Sequence, residues 1–245
     1  MESKYTNKYD NAYSILEKLE QGGSGGSGGK VVLVDGTKFA NSTFTEIPEN
    51  LDFSEVTDFN SMFRYCENLT TVPSLDTSNC TNFSNMFRYC ENLTTVGNLD
   101  TSNGTDFSYM FNYCQNLTSV PPLDTSKGTN FYDMFYYCKK LRSIPQLNMS
   151  NCTTFGKVNA MFSNCTALEN ITFVGSINHT LYFSNSPLLT YDSIKSVLTA
   201  ASNTTSTSAK TLNFNRTITD NNGELSALVG ECTTKGWTIT GLTLE

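Results

Sequence analysis

The chain has 245 residues, 38% of them hydrophobic and 16% charged, with a net charge of −7. It is long enough for one elongated domain or two small ones, with a core beneath a neutral surface rich in Ser, Thr and Asn. Its densest basic stretch is Lys139-Lys140-Leu141-Arg142, far short of the cationic patch that phosphate contacts require, so nucleic acid and anionic membranes are poor candidates, and membrane insertion is not expected. No apolar run approaches the roughly 18 residues of a membrane span.

In chain order, residues 9–21 predict a short helix, because Tyr9, Ala12, Tyr13, Leu16 and Leu19 recur at helical spacing. No apolar signal-peptide stretch precedes it. Residues 22–29, all Gly and Ser, form a flexible linker with a mean span of roughly 16 Å. The regularity of this run fits an engineered spacer as well as a natural hinge. The expected divisions are an N-terminal helix (1–21), a linker (22–29), a repeat domain (30–189) and a C-terminal capping region (190–245).

The dominant feature is a 24-residue repeat. Leu51, Leu75, Leu99, Leu123 and Leu147 mark it, followed by Asp52, Asp76, Asp100, Asp124 and Asn148. Each unit then carries a Phe (Phe59, Phe83, Phe107, Phe131, Phe155), a Met-Phe pair such as Met86-Phe87, and a Cys (Cys66, Cys90, Cys114, Cys138, Cys165). The fifth unit holds a three-residue insertion near Gly156–Asn159. A period of 24 lies within the leucine-rich-repeat range.

Phe83, Met86, Phe87 and Cys90 stand at i, i+3, i+4 and i+7, one face of a two-turn helix, with Asn82 at its N-cap and Asp58, Asp106 and Asn130 in the same place elsewhere. Leu93-Thr94-Thr95-Val96 then reads as a short strand. A lone unit buries too little apolar surface to offset its ordering, so neighbours must share core and ladder. After Ile171 the period decays. Tyr191, Ile194, Val197, Leu198 and Ala201 predict a helix over 190–201, followed by a strand at 210–215, a helix at 222–234 and a strand at 237–239. The expected fold is therefore an α/β repeat: a leucine-rich-repeat solenoid with a parallel sheet on one face, short helices on the other, and a C-terminal α/β cap.

The strings Leu75-Asp76-Thr77-Ser78-Asn79 and Asn82-Phe83-Ser84-Asn85-Met86-Phe87, with Cys90 and Leu93, resemble the BspA-type leucine-rich repeats, also called the mycoplasma-lipoprotein type. The likeness covers about residues 47–172, and Lys235-Gly236-Trp237-Thr238-Ile239 resembles segments that close such arrays. It departs in the turn, where the usual Val survives only as Val56 and is replaced by Cys80, Gly104, Gly128 and Cys152. The resemblance implies a right-handed solenoid found in bacterial surface proteins, some protist proteins and phage structural proteins. It also implies a role in adhesion or receptor binding, with no catalytic residues to carry over.

Several columns are candidate sites. The Cys column has neither the convergence that zinc needs nor side-chain vectors suited to disulfides, and reads as buried thiol acting as a small hydrophobe; eight cysteines without a disulfide framework suit reducing synthesis. The column Asp52, Asp76, Asp100, Asp124 is either a row of Ca²⁺-seeking carboxylates or a row of Asx-turns; the Asx-turn is the simpler reading. Tyr65, Tyr89, Tyr113 and Tyr137 read as packing between units or as an aromatic binding strip. The strand face supplies the preferred binding surface: Thr70, Thr71, Thr94, Thr95, Thr118, Ser119, Arg142 and Ser143, on the kind of extended face that repeat arrays use for partners.

Catalysis has little to stand on. His179 is the one histidine, and the Gly/Ser run satisfies G-x-G-x-x-G only by composition, with no strand before it. The expectation is a non-enzymatic binding module without cofactor, at a cell surface or on a virion, that recognises a cell-surface protein or glycan. The alternative is a structural tail or decoration protein of a phage particle, assembled through residues 1–21.

Overall fold

The computed structural model describes residues 31–152, 160–204 and 208–245. The expected helix within 1–21, the linker 22–29, Phe155 and the insertion at 156–159 lie outside the described residues.

The repeat becomes a succession of small parallel sheets. β1 (Val31–Val32) pairs with β2 (Leu51–Asp52), β3 (Thr71–Val72) with β4 (Thr95–Val96), and β5 (Ser143–Asn148) with β6 (Asn170–Val174). Thr71 stands opposite Thr95 and Val72 opposite Val96, one period apart. Single parallel bridges extend the same register: Asp58 to Asn82, Asn82 to Asp106, Asp106 to Asn130, Leu75 to Leu99, and Ser119 to Ser143. The expected continuous sheet is therefore replaced by short ladders at several positions in each unit.

In the units whose turn segment is described, the expected short helix is not formed. Met86 N–H bonds Phe83 O, Arg88 N–H bonds Asn85 O and Cys90 N–H bonds Phe87 O, all i to i+3 turns. The intervening amides leave the unit: Phe83 donates to Asp106 O, Asn85 to Ser108 O, Phe87 to Met110 O and Tyr89 to Asn112 O, at 2.8–2.9 Å. Asn85 and Tyr89 are left-handed, with φ of 56° and 62°. Each such residue costs about 1–2 kcal/mol, offset by a ladder bond to the next unit at every second amide. Asp58, Asn82, Asp106 and Asn130 accordingly cap turns rather than helices. Their side-chain oxygens accept from Asn60, Ser84, Ser108 and Tyr132 N–H at 2.8–3.2 Å.

Two columns of rings fill the core. Phe59, Phe83, Phe107 and Phe131 stack at 5.5–6.3 Å between centroids. The second column starts at Phe39 and runs through Phe63, Phe87, Phe111, Phe135 and Phe162 to Phe183 and Phe214, at 5.0–6.1 Å. Its last two members lie beyond the visible repeat.

The C-terminal part is β-α-β-α-β: β7 (Leu181–Tyr182), α1 (Tyr191–Ser202), β8 (Lys210–Ile218), α2 (Glu224–Thr234) and β9 (Trp237–Leu244). Its three strands are parallel in the order β7-β8-β9, with helices making the crossovers that parallel strands need. Thr190 caps α1 by accepting from Ser193 N–H. Helix α1 also covers the edge of β6: Ile171 N–H donates to Ser193 Oγ (3.0 Å) and Phe173 N–H to Ser196 Oγ (2.7 Å). Two serine hydroxyls thus stand in for the carbonyls of a next strand at a sheet edge that must be covered.

Candidate binding face

In each unit Leu69, Leu93, Leu117 or Leu141 is fully buried, and the next two residues emerge on the strand face. The first of the two turns back into the structure. Thr94 N–H and Thr94 Oγ1–H both donate to Thr70 O, each at 2.9 Å. Thr70 does the same to Thr45 O and Thr118 to Thr94 O. At the fourth position Arg142 N–H continues the ladder to Thr118 O, while its exposed guanidinium lies 3.8 Å from Glu169.

The second residues form another column in parallel register. Thr71, Thr95 and Ser119 are exposed and Ser143 is half-buried. The eight predicted residues are therefore brought together as two adjacent columns with different duties: Thr70, Thr94 and Thr118 bind unit to unit, whereas Thr71, Thr95 and Ser119 are exposed and Ser143 is half-buried.

Beside them lies a groove of about 260 Å³, bounded by Glu67, Glu91, Gln115 and Lys139 and by Asn92, Asn116 and Lys140. Glu67, Glu91, Gln115 and Lys139 are one column at the repeat spacing, so the groove runs from acidic to basic along the array. Reading charge by column would have found this gradient in the sequence. Asn92 and Asn116 amides donate to Glu67 O and Glu91 O, both at 2.9 Å, which holds the groove floor to the preceding unit.

The remaining columns resolve as follows. Asp52, Asp76, Asp100 and Asp124 each accept the N–H two residues on, at 2.9–3.2 Å, and Asn148 does the same for Ser150. These are Asx-turns. Their bonds to Ser102 and Ser126 hold the Asp100 and Asp124 carboxyls below the usual range. Among the described residues no group of three or more His, Cys, Asp or Glu is placed to hold a metal ion.

Each column cysteine points its thiol at a carbonyl of the preceding unit, as Cys90 Sγ does to Phe63 O at 3.0 Å and Cys114 Sγ to Phe87 O at 3.1 Å. All eight are buried, and none is joined in a disulfide. Burial pushes the Cys66 and Cys165 thiols up to about 12 and those of Cys80 and Cys232 to about 11, so they are not nucleophiles at neutral pH. His179 Nε2 lies 2.9 Å from Cys152 O. The tyrosines of the Tyr column stack on one another at 4.7–4.8 Å.

Two overlapping stretches, residues 35–143 and 57–172, match the family described as "Mycoplasma protein of unknown function, DUF285". Together they take in more than half of the chain. The chain belongs to that family. Residues shared by the two matches include the candidate face from Thr70 to Ser143. No curated protein and no solved structure matches the chain. No helix among the described residues is long and apolar enough to cross a membrane.

Proposed function

We propose that the chain is a non-catalytic binding module, a solenoid of the BspA leucine-rich-repeat type that recognises a cell-surface protein or glycan from a cell surface or a particle. One observation carries the reading. Thr71, Thr95, Ser119 and Ser143 stand in repeat register, the first three exposed, near a groove whose charge changes sign along its length. Hydroxyls fixed at the strand spacing of about 4.8 Å offer both donors and acceptors to a polar extended partner. The end charges set its direction. The thiols are buried and the carboxylates of the Asp column are engaged in turns, which supports recognition over chemistry.

The test is binding of the full chain to a panel of intact bacterial cells and matrix proteins, with Thr95→Lys and Ser119→Lys variants. Saturable binding that each substitution weakens at least about tenfold, roughly 1.4 kcal/mol, is the expected result. Both residues are exposed, so the variants keep the wild-type unfolding midpoint. Binding left unchanged by both removes the strand face as the site.

A further inference from the structure

Tyr65, Tyr89, Tyr113 and Tyr137 form a ladder on the turn side of the units. Consecutive ring centroids lie 4.7, 4.7 and 4.8 Å apart, with planes within 7°, 22° and 18° of parallel. All four residues are left-handed, with φ between 61° and 67°, so each side chain departs from the backbone in the same direction. Their amides anchor the ladder unit to unit: Tyr65 N–H donates to Arg88 O, Tyr89 N–H to Asn112 O and Tyr113 N–H to Tyr136 O, at 2.8–2.9 Å.

The ring faces are taken by one another and, at the two ends, by the Arg64 guanidinium (4.8 Å) and the Lys139 ammonium (4.6 Å). A ligand that stacks on an aromatic face therefore gains little here. The residues are nevertheless half-exposed, so a small diffusing oxidant can reach them.

We propose that this ladder is a site of oxidative tyrosine coupling, in which a peroxide-driven one-electron oxidant joins neighbouring units through ortho–ortho carbon bonds. This goes beyond the binding reading and does not depend on it. Each of two adjacent tyrosines gives up one electron and its phenolic proton. The two radicals form a C–C bond between ortho carbons, and the ortho hydrogens shift to oxygen and restore both phenols. The two electrons and two protons convert one hydrogen peroxide to two waters through a haem peroxidase. The slow requirement, meeting of two tyrosyl radicals, is met beforehand by the ladder, as fixed proximity replaces encounter. A radical formed on any one ring can also pass along the contact to a neighbour. Each bond formed closes a 24-residue loop and ties one unit covalently to the next.

The experiment treats the full chain at low concentration with a haem peroxidase and hydrogen peroxide. It reads dityrosine fluorescence, chain size on a denaturing gel, and the linked peptides of a tryptic digest. Dityrosine is expected on chains that remain single, with peptide 65–88, whose one tyrosine is Tyr65, joined to 89–127 and the pair lighter by two hydrogens. The double substitution Tyr89→Phe/Tyr113→Phe keeps the rings but removes every adjacent tyrosine pair of the ladder. It should abolish the 65–88 to 89–127 link, while any dityrosine from the separate Tyr109–Tyr132 and Tyr136–Tyr137 pairs (4.9 and 5.5 Å) persists. Product dominated by chain-to-chain dimers through the exposed Tyr182, or a 65–88 to 89–127 link that is absent from the wild type or persists in the double variant, overturns the proposal.

Discussion

At positions 104 and 128 a glycine stands where other units carry Val56, Cys80 or Cys152, and the neighbouring ring explains the exchange. A Cβ on Gly104 would sit 2.4 Å from Phe107 Cζ, and one on Gly128 2.3 Å from Phe131 Cζ. Both rings are fully buried, and Phe107 is stacked between Phe83 and Phe131, so they have little room to retreat. The Phe59–Phe83 separation, 6.3 Å against 5.5 Å and 5.6 Å further on, is widest where Val56 and Cys80 fill the position. Gly104→Val is therefore expected to lower stability by about 1–3 kcal/mol through overpacking, measured as a lower denaturant midpoint at unchanged slope. The thiols make a second prediction at this scale. Burial raises every column cysteine in the folded state, up to about 12 for Cys66 and Cys165, above the unfolded value of about 8.5. A folded pKa above the unfolded one gives stability that is complete below the unfolded pKa and disappears as pH climbs through the folded one. The unfolding midpoint should be flat from about pH 6 to 8 and fall progressively between about 9 and 12. Thiol-reactive reagent should label the native protein only as fast as it unfolds.

Within the unit, the structure separates what sequence reading can see from what it cannot. Helices α1 and α2 were legible because Tyr191, Ile194, Val197 and Leu198 repeat at 3.6 residues behind a Thr190 cap, and because two strands of parallel sheet need a crossover. The segment Phe83–Cys90 has the same i, i+3, i+4, i+7 spacing, yet two consecutive four-residue turns also place those side chains on one side. Only the bonds from Phe83, Asn85, Phe87 and Tyr89 to the next unit distinguish the two, and those partners are more than twenty residues away. The same limit applies at the candidate face. Thr94 and Thr95 are identical in sequence, but the first is consumed by Thr70 O and the second faces outward. The Leu-Asp-Thr-Ser string hides another such case: Thr77, Thr101 and Thr125 are buried, and their hydroxyls donate to Asp100, Asp124 and Asn148 O at 2.9–3.0 Å. Much of the hydroxyl content expected on the surface thus binds one unit to the next. If the 24-residue register is the organising rule, removing residues 76–99 should leave a folded protein with its thiols protected and a somewhat lower midpoint. Removing residues 76–87 should expose thiols and abolish cooperative unfolding, because it places Thr95 and Leu99 where Phe83 and Phe87 must stack. Circular dichroism with thiol titration reads both.

Across the whole molecule, the column from Phe39 to Phe214 passes from the repeat into the C-terminal β-α-β-α-β segment without a gap. Spacings of 21 residues from Phe162 to Phe183 and 31 from Phe183 to Phe214 conceal that continuation from any search for a period. Ser193 and Ser196 close the β6 edge at the same junction, and Cys232 Sγ lies 3.3 Å from Leu198 O beneath the helices. The central claim is that the repeats and the C-terminal segment share one core and one fate on unfolding. Trp237, the single tryptophan, is buried in β9 and reports the C-terminal segment, while Cys90 and Cys114 report the repeats. An equilibrium denaturant titration followed by Trp237 emission and by exposure of those two thiols measures both parts of the same molecule. The continuous core predicts coincident transitions with one midpoint; a Trp237 transition separated from that of the thiols would contradict it.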